Sequence, residues 1–143
     1  MKPPPIEDVI EIQQLLARYA VGMTKDKVEE VMDVFTPDGT YSAFGDTYSL
    51  KDFPKLVEAA PKGLFLVGPP LLELDGDTAK GEQPLCFVEQ TKHDMRIGWY
   101  TDRYVRTRDG WRLKTREMTF IRRSGARDHG KAHDPLRPAP TQS

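Results

Sequence analysis

Cysteine is nearly absent from this sequence, and histidine is scarce. The 143 residues include one cysteine, Cys86, and three histidines. A single cysteine excludes a disulfide within the chain, which is typical of proteins from a reducing compartment. Cys86 lies inside the apolar segment PLCFVE, so we interpret it as a buried structural thiol rather than a nucleophile.

The sequence also lacks an excess of charge of either sign. Lysine and arginine total 21 against 22 aspartates and glutamates, which gives a formal net charge of -1. Binding to nucleic acid requires clustered positive charge, so we expect no nucleic-acid partner.

Long hydrophobic runs are missing as well. No apolar run approaches the roughly 20 residues that span a bilayer. The first segment, MKPPPIEDVIEI, has prolines and acidic residues where a signal peptide needs a continuous apolar stretch. We therefore expect a soluble, cytoplasmic protein with no membrane partner.

The composition that remains is that of a globular protein. Apolar residues make up 38% of the chain and charged residues 30%, and this length suits one domain with a substantial core. We predict a single domain over residues 1–123. The segment from Ser124 onward, SGARDHGKAHDPLRPAPTQS, is polar and rich in proline, so we predict that residues 124–143 form a tail outside the core.

The first third of the chain predicts helices. An apolar stripe at three- and four-residue spacing predicts an amphipathic helix of about five turns, formed by Ile6, Val9, Ile12, Leu16, Tyr19, Ala20 and Met23. A second stripe predicts a shorter helix that ends at Thr36–Gly39 and includes Val28, Val31, Met32 and Phe35. The segment SLKDFPKLVEAAPKG predicts a brief third helix capped by Ser49 or Asp52.

The remaining segments predict strands. TYSAFGDTYSL predicts a short extended pair that turns at Gly45-Asp46. Further on, Asp75-Gly76, the polar loop QTKHDMR and Asp109-Gly110 separate longer segments, and Asp-Gly is a strong hairpin signal. This order predicts the α+β class, with the helices packed into a strongly curved antiparallel sheet. Such a sheet would enclose a cone-shaped pocket around the first helix.

One apolar run stands out within these segments. LFLVGPPLLELDGDTAKG runs from Leu64 to Gly81, and only Glu73 can titrate among its first eleven residues. The run is either a core strand or one wall of a binding pocket.

The combination of LLARYA, VFTPDGTY, DGDTA and Y-x-D-x-x-V-R-x-x-D-G-W resembles the SnoaL-like branch of the nuclear transport factor 2-like superfamily. That superfamily includes polyketide cyclases, scytalone dehydratase, limonene epoxide hydrolase and steroid isomerases. The resemblance covers about Ile6 to Arg123. It implies a cone-shaped α+β barrel, the cystatin-like roll, which is commonly dimeric and holds a small hydrophobic molecule.

The resemblance also indicates where proton-transfer residues would lie. Dehydratase and cyclase members often pair a carboxylate near the end of the first helix with a histidine on the strand that opens the central hairpin. Here those positions hold Thr24 and Phe65 or Leu66, none of which can take a proton. Tyr19 is retained. It would either donate a hydrogen bond to a ligand oxygen or serve as an ordinary core tyrosine.

A second candidate carboxylate lies further along the chain. Strict alternation places Tyr100, Asp102, Tyr104 and Arg106 on one face of a strand, and the family often turns the first two positions toward the pocket. Asp102 would then be a catalytic acid or base with a raised pKa. Alternatively, Asp102 pairs with a neighbouring arginine such as Arg103, Arg106 or Arg116 on an exposed face of the sheet. Arg116 itself would bind either an anionic ligand group or a cross-strand partner.

The apolar and aromatic residues indicate the ligand more directly than the polar ones. An apolar pocket with a few hydroxyl groups is the usual form of a small-molecule site. With the family geometry, the candidate ligand-binding residues are Met23, Phe35, Tyr41, Phe65, Leu66, Phe87, Tyr100, Tyr104 and Arg116.

The histidines offer weaker candidates. His93 beside Asp94 would form a relay at the pocket rim or lie exposed in its loop. His129 and His133 have the spacing of a helical metal pair, but Gly130 and Pro135 disfavour a helix there. We therefore expect no metal site.

Two functional hypotheses remain open. In the first, the protein is a cofactor-independent isomerase, dehydratase or cyclase for a polycyclic, steroid-like or terpenoid substrate, with Asp102 and Tyr19 as catalytic residues. In the second, it is a catalytically silent ligand-binding or dimeric interaction module of the same fold. Both include a small hydrophobic molecule, and the resemblance adds a homodimer.

Overall fold

In the part of the chain that the structure describes, the fold has three helices and seven strands. The computed structural model describes residues 5–43 and 45–123, apart from the side chains of the last two of these. The elements are α1 (Ile6–Thr24), α2 (Val28–Met32), β1 (Phe35–Ala43), β2 (Asp46–Ser49), α3 (Phe53–Ala59), β3 (Gly63–Val67), β4 (Leu71–Asp75), β5 (Thr78–Glu89), β6 (Met95–Thr107) and β7 (Gly110–Arg123). The predicted tail over residues 124–143, with His129 and His133, lies outside the described residues.

The long first helix forms where the apolar spacing predicts it. Ile12, Leu16 and Tyr19 of the predicted stripe are 2% exposed or less, and Leu15 is buried beside them. The buried side is wider than one stripe because the helix packs into the concave face of the sheet rather than against a single neighbour.

The sheet is mixed rather than wholly antiparallel. Its strand order is β2-β1-β7-β6-β5-β3, and β4 pairs with the remaining half of β5. Strand β1 runs parallel to β7, whereas the other neighbouring strands are antiparallel. The parallel pair joins the two ends of the domain, so the turn signals that predict hairpins do not report it. The α+β class is confirmed.

The second helix is shorter than its apolar stripe. Helix α2 ends at Met32, and Phe35 is the first residue of β1. The segment Thr36–Gly39, predicted to stop the helix, lies inside that strand, where the pairing of β1 with β7 changes register between Phe35 and Thr40. A bulge of this kind bends a strand, which helps to curve the sheet.

The predicted hairpin turns are confirmed, and the apolar run is divided. Asp75-Gly76 joins β4 to β5, and Asp109-Gly110 joins β6 to β7. The run that begins at Leu64 forms two strands, β3 and β4, which residues 68–70 separate and which both pair with β5. Burial alternates along each strand, so each contributes only every second side chain to the interior.

A partly exposed ion pair lies at the start of α1. Asp8 on α1 accepts hydrogen bonds from both terminal nitrogens of Arg106, at 2.8 and 2.9 Å, and from the indole N–H of Trp111 at 3.1 Å. The bonds from Arg106 and then Trp111 hold the pKa of Asp8 below its usual value. This arrangement ties the start of α1 to β6 and β7.

Within residues 5–43 and 45–123, none of the helices is long and apolar enough to cross a lipid bilayer.

Candidate ligand-binding site

A cavity of about 110 Å³ lies between the end of α1, helix α3 and the ends of the long strands. Its lining is dominated by aromatic side chains, namely Tyr19, Tyr41, Tyr48, Phe53, Phe65, Phe87, Tyr100 and Phe120. Apolar walls with a few hydroxyl groups are typical of sites that bind small organic molecules.

Aromatic contacts hold the walls in place. Phe65 on β3 and Phe87 on β5 are directly paired across the strands, and their ring centroids lie 4.8 Å apart. Tyr19 meets Tyr100 edge to face at 5.8 Å. Such contacts add to the hydrophobic stabilisation of the core, so the cavity is built from well-packed rings.

The structure brings six of the residues predicted from the sequence to this cavity and leaves five outside it. The six are Tyr19, Met23, Tyr41, Phe65, Phe87 and Tyr100. Phe35 packs behind the wall, against Tyr19 and Phe53. Leu66 is 58% exposed, because alternation turns it away from Phe65 to the outer face of the sheet. Asp102, Tyr104 and Arg116 also lie outside the lining.

Asp102 and Arg116 form a buried ion pair deeper in the fold. They are opposite each other on β6 and β7, and both side chains have no exposed surface. Two nitrogens of Arg116 donate to the two carboxylate oxygens of Asp102, at 2.8 and 2.9 Å. Of the alternatives for Asp102, the geometry is that of pairing with an arginine.

Neighbouring groups complete the polar network around this pair. The hydroxyl of Tyr104 donates to Asp102 at 2.9 Å, and Arg116 donates to the side-chain oxygen of Gln83 at 2.9 Å. The remaining guanidinium nitrogen, Nη1 of Arg116, has no hydrogen-bond partner among the described residues. The guanidinium instead lies against the rings of Tyr100 and Tyr19, with its carbon 3.6 and 4.4 Å from their centroids, where cation–π attraction compensates.

The tyrosines of the lining are uncharged hydrogen-bond donors at neutral pH. Burial raises the pKa of Tyr19, although the charge of Arg116 offsets part of this effect. Burial likewise raises the pKa of Tyr41, Tyr48 and Tyr100. A phenol with a raised pKa does not act as a base near pH 7.

Sequence reasoning missed Arg96, the second residue of β6. It lines the cavity, and its guanidinium carbon lies 5.9 Å from the ring centroids of both Phe87 and Phe120. Arg96 falls at the end of QTKHDMR, which we interpreted as a loop. Its even spacing from Tyr100 could have placed it on the inner face.

Thr24, which stands where the resemblance implies a carboxylate, has a structural role. The hydroxyl of Thr24 donates to the carbonyl of Ala20 at 2.8 Å and accepts the N–H of Phe65 at 3.0 Å. Thr24 thus fastens the end of α1 to β3.

His93 is exposed and lies outside the cavity lining. Among the described residues no group of three histidine, cysteine, aspartate or glutamate side chains is placed to hold a metal ion.

Comparison with known proteins identifies the family. The family model of the SnoaL-like domain matches residues 4–117. The chain belongs to the SnoaL-like family. An uncharacterised protein of Mycobacterium tuberculosis strain H37Rv is 32% identical to this SnoaL-like chain, over 80% of the chain and 86% of that protein.

Solved structures confirm the fold of this SnoaL-like domain. An NTF2-like protein with a cystatin-like fold from Novosphingobium aromaticivorans superposes with a TM-score of 0.72, at 23% identity, covering 79% of this chain and 81% of its own. A hexachlorocyclohexane dehydrochlorinase superposes with a TM-score of 0.74, at 14% identity, covering 94% and 95% of the two chains. At these identities the likeness concerns the fold, so the chemistry of the SnoaL-like domain has to be argued from its own side chains.

Proposed function

We propose that this SnoaL-like protein binds a small hydrophobic molecule of about one ring in size and does not transform it. The observation that carries the proposal is the lining of the cavity. Among the described residues that line it there is no carboxylate and no imidazole, and the tyrosine hydroxyls are held in their neutral form. Dehydration, isomerisation and cyclisation through proton abstraction all require a base within reach of the substrate.

The ion pair of Asp102 supports the same proposal. Both carboxylate oxygens of Asp102 accept hydrogen bonds from Arg116, and one also accepts from Tyr104. Both oxygens of this carboxylate are occupied by donors, and Asp102 has no exposed surface and lies outside the cavity lining, so it does not reach a ligand there. The ion pair therefore favours a ligand-binding protein without catalytic activity over an enzyme that uses Asp102.

The size of the cavity supports a smaller ligand than the polycyclic one expected from the resemblance. An apolar cavity of about 150 Å³ holds one benzene molecule, and the cavity here is about 110 Å³. A ligand of several fused rings would require the walls to move apart. We therefore propose a monocyclic ligand, whose burial would drive binding by roughly 25 cal/mol per Å² of apolar area before the costs of association.

Ligand-observed NMR with toluene, naphthalene and a steroid tests this proposal. We expect the toluene signal to show binding and the steroid to show none. Ala43 lines the cavity and is buried, so Ala43→Leu should fill the space and abolish toluene binding. Ala59→Leu on the exposed side of α3 is the matched control and should bind toluene normally. Equal binding by the two variants, or tight binding of the steroid, would contradict the proposal.

We also propose that the homodimer implied by the resemblance uses the outer face of the sheet. Leu64 and Met95 are 46% and 47% exposed and lie in one cross-strand row with Val88, while Leu66 lies in the next row with Cys86 and Ile97. An apolar face of this kind on a small protein is typical of a protein contact. A second copy offers the same apolar rows, so the contact would be self-complementary.

A further inference from the structure

Most walls of the cavity are rings that hold one another in place. Phe65 packs against Phe87 with ring centroids 4.8 Å apart, and Tyr41 meets Phe53 edge to face at 5.7 Å. A ring packed in this way cannot move without losing its contact with the neighbouring ring. The aromatic walls therefore fix the width of the cavity, and its length depends on other side chains.

Met118 is a flexible side chain at the closed end of the cavity. It lines the cavity and is 1% exposed, whereas Pro61 and Met23 of the same lining are exposed and half-buried, respectively. Methionine is unbranched and has three rotatable bonds, so it fills irregular spaces. The other buried side chains of the described lining are rings, branched chains or alanine, which adapt less.

The bare backbone of Gly98 gives the Met118 side chain its position. Met118 lies opposite Tyr100 in the pairing of β6 with β7, and Gly98 precedes Tyr100 by two residues on the same face of β6. A Cβ at Gly98 would lie 2.9 Å from the Cε methyl of Met118, so this methyl packs directly on the glycine. Gly98 itself lies outside the described lining, because Met118 covers it.

We propose that Met118 limits the ligand to about one ring, because its side chain occupies the space above Gly98 that a second ring would need. This inference rests on the proposed function, to which it adds the residue that determines specificity for size. A cavity of about 110 Å³ has no room for a second ring. The packed rings of the walls leave the end formed by Met118 as the direction in which the cavity can extend.

Toluene and naphthalene are the probes, and Met118→Ala is the main variant. Removal of the side chain beyond Cβ should uncover the space above Gly98 and admit the second ring. We expect ligand-observed NMR titrations to show that naphthalene gains affinity relative to toluene by roughly tenfold or more, because burial of the additional carbon atoms is worth at least that much. Met32→Ala is the matched control, since Met32 is a half-buried methionine of α2 outside the described lining. It should leave the ratio of the two affinities unchanged.

Met118→Val is a second variant for the case in which alanine costs too much stability. It removes less of the side chain, so it leaves a smaller cavity in the core. It should shift the ratio of affinities in the same direction by a smaller factor. Circular dichroism verifies that each variant is folded before its binding is measured.

The methionine methyl groups allow a test in the unaltered protein. The chain has five methionines, and the methyl signal of Met118 is the one that is absent from Met118→Val. In protein that is isotope-labelled at these methyl groups, the ring of bound toluene should shift the NMR signal of Met118. The signal of Met32 should stay in place.

The outcomes separate this inference from the function on which it rests. If toluene binds but neither variant of Met118 gains affinity for naphthalene, the limit on size lies elsewhere and the inference is wrong. An equal gain in Met32→Ala, or toluene binding without a shift of the Met118 signal, would also overturn it. If toluene binds to none of these proteins, the proposed function itself fails.

Discussion

Asp102 and Arg116 are direct cross-strand neighbours whose side chains form a two-pronged ion pair with no exposed surface. The guanidinium of Arg116 packs against Tyr19 and Tyr100, which line the cavity. A buried pair costs desolvation energy when it forms, but removing one partner leaves the other as an uncompensated charge. Replacing either residue alone should therefore destabilise the fold, whether or not that residue contacts a ligand.

We predict that Asp102→Asn lowers the free energy of unfolding by about 3–5 kcal/mol. Urea denaturation followed by circular dichroism measures this loss as a lower midpoint. The double variant Asp102→Leu with Arg116→Met removes both charges and should recover most of the stability. An Asp102→Asn protein with an unchanged midpoint would contradict the buried pair described above.

Gly110 offers a second test at the turn between β6 and β7. Its φ of +105° is strained for any residue with a side chain, and an added Cβ would lie 2.8 Å from the carboxylate oxygen of Glu11 that accepts the N–H of Trp111. Gly110→Ala should therefore reduce the free energy of unfolding by about 1–3 kcal/mol. Gly76→Ala is the control, since Gly76 has a φ of +61° and open space around it, and its cost should be about 1 kcal/mol. Equal losses would contradict the close approach of Glu11.

The raised pKa values of the tyrosines predict that the protein loses stability at alkaline pH. Burial raises the pKa of all five tyrosines, Tyr19, Tyr41, Tyr48, Tyr100 and Tyr104, above the usual tyrosine value of about 10. The unfolded chain therefore releases these protons at a lower pH than the native protein does. Above pH 10 the unfolded state binds fewer protons than the native state, so the free energy of unfolding falls as the pH rises.

Ultraviolet absorbance of tyrosinate measures this effect. We expect the native protein to titrate well above the urea-denatured chain, and its titration to coincide with loss of circular dichroism. Native tyrosines that ionised near pH 10 in a protein that stayed folded would show that the lining is hydrated.

If a dimer forms through the outer face of the sheet, a charge placed on that face should dissociate it. Leu66 is 58% exposed at the β3 end of its apolar row, and Leu66→Lys would place a charge in the proposed dimer contact. Sedimentation velocity should show a dimer for the unaltered protein and a monomer for this variant. Val21→Lys on the exposed side of α1, where the side chain is 51% exposed, should remain dimeric. A monomeric unaltered protein would exclude the proposed contact.

The elements that sequence reasoning located correctly are those with local causes. The stripe that contains Ile12, Leu16 and Tyr19 and the turns at Asp75-Gly76 and Asp109-Gly110 depend on residues within a few positions of one another. The parallel pairing of β1 with β7 depends on contacts across the whole domain. The spacing of Phe35 continues the stripe of α2 and predicts a helix, whereas pairing with β7 places Phe35 in a strand.

Alternation in the sequence predicts the apolar side chains that line the cavity, but not the partners of the buried polar groups. Alternation along a strand suffices to turn Phe65 and Phe87 inward, and it also separates Phe65 from Leu66. Whether Asp102 faces a ligand or an arginine depends on the register of β6 against β7, which places Arg116 directly opposite. That register includes a shift between Arg103 and Tyr104, and sequence alternation carries no record of such a bulge.

The break between β3 and β4 has a consequence for solubility. Each of these strands is five residues long and, among the described strands, pairs on one side only, with β5. A continuous apolar edge strand would invite strand addition by a second chain and the growth of aggregates. Pro69 and Pro70 have no N–H to offer such a chain, so the break leaves two short edges that are poor templates for fibrils. The same prolines that divide the apolar run protect the protein against the hazard that the run creates.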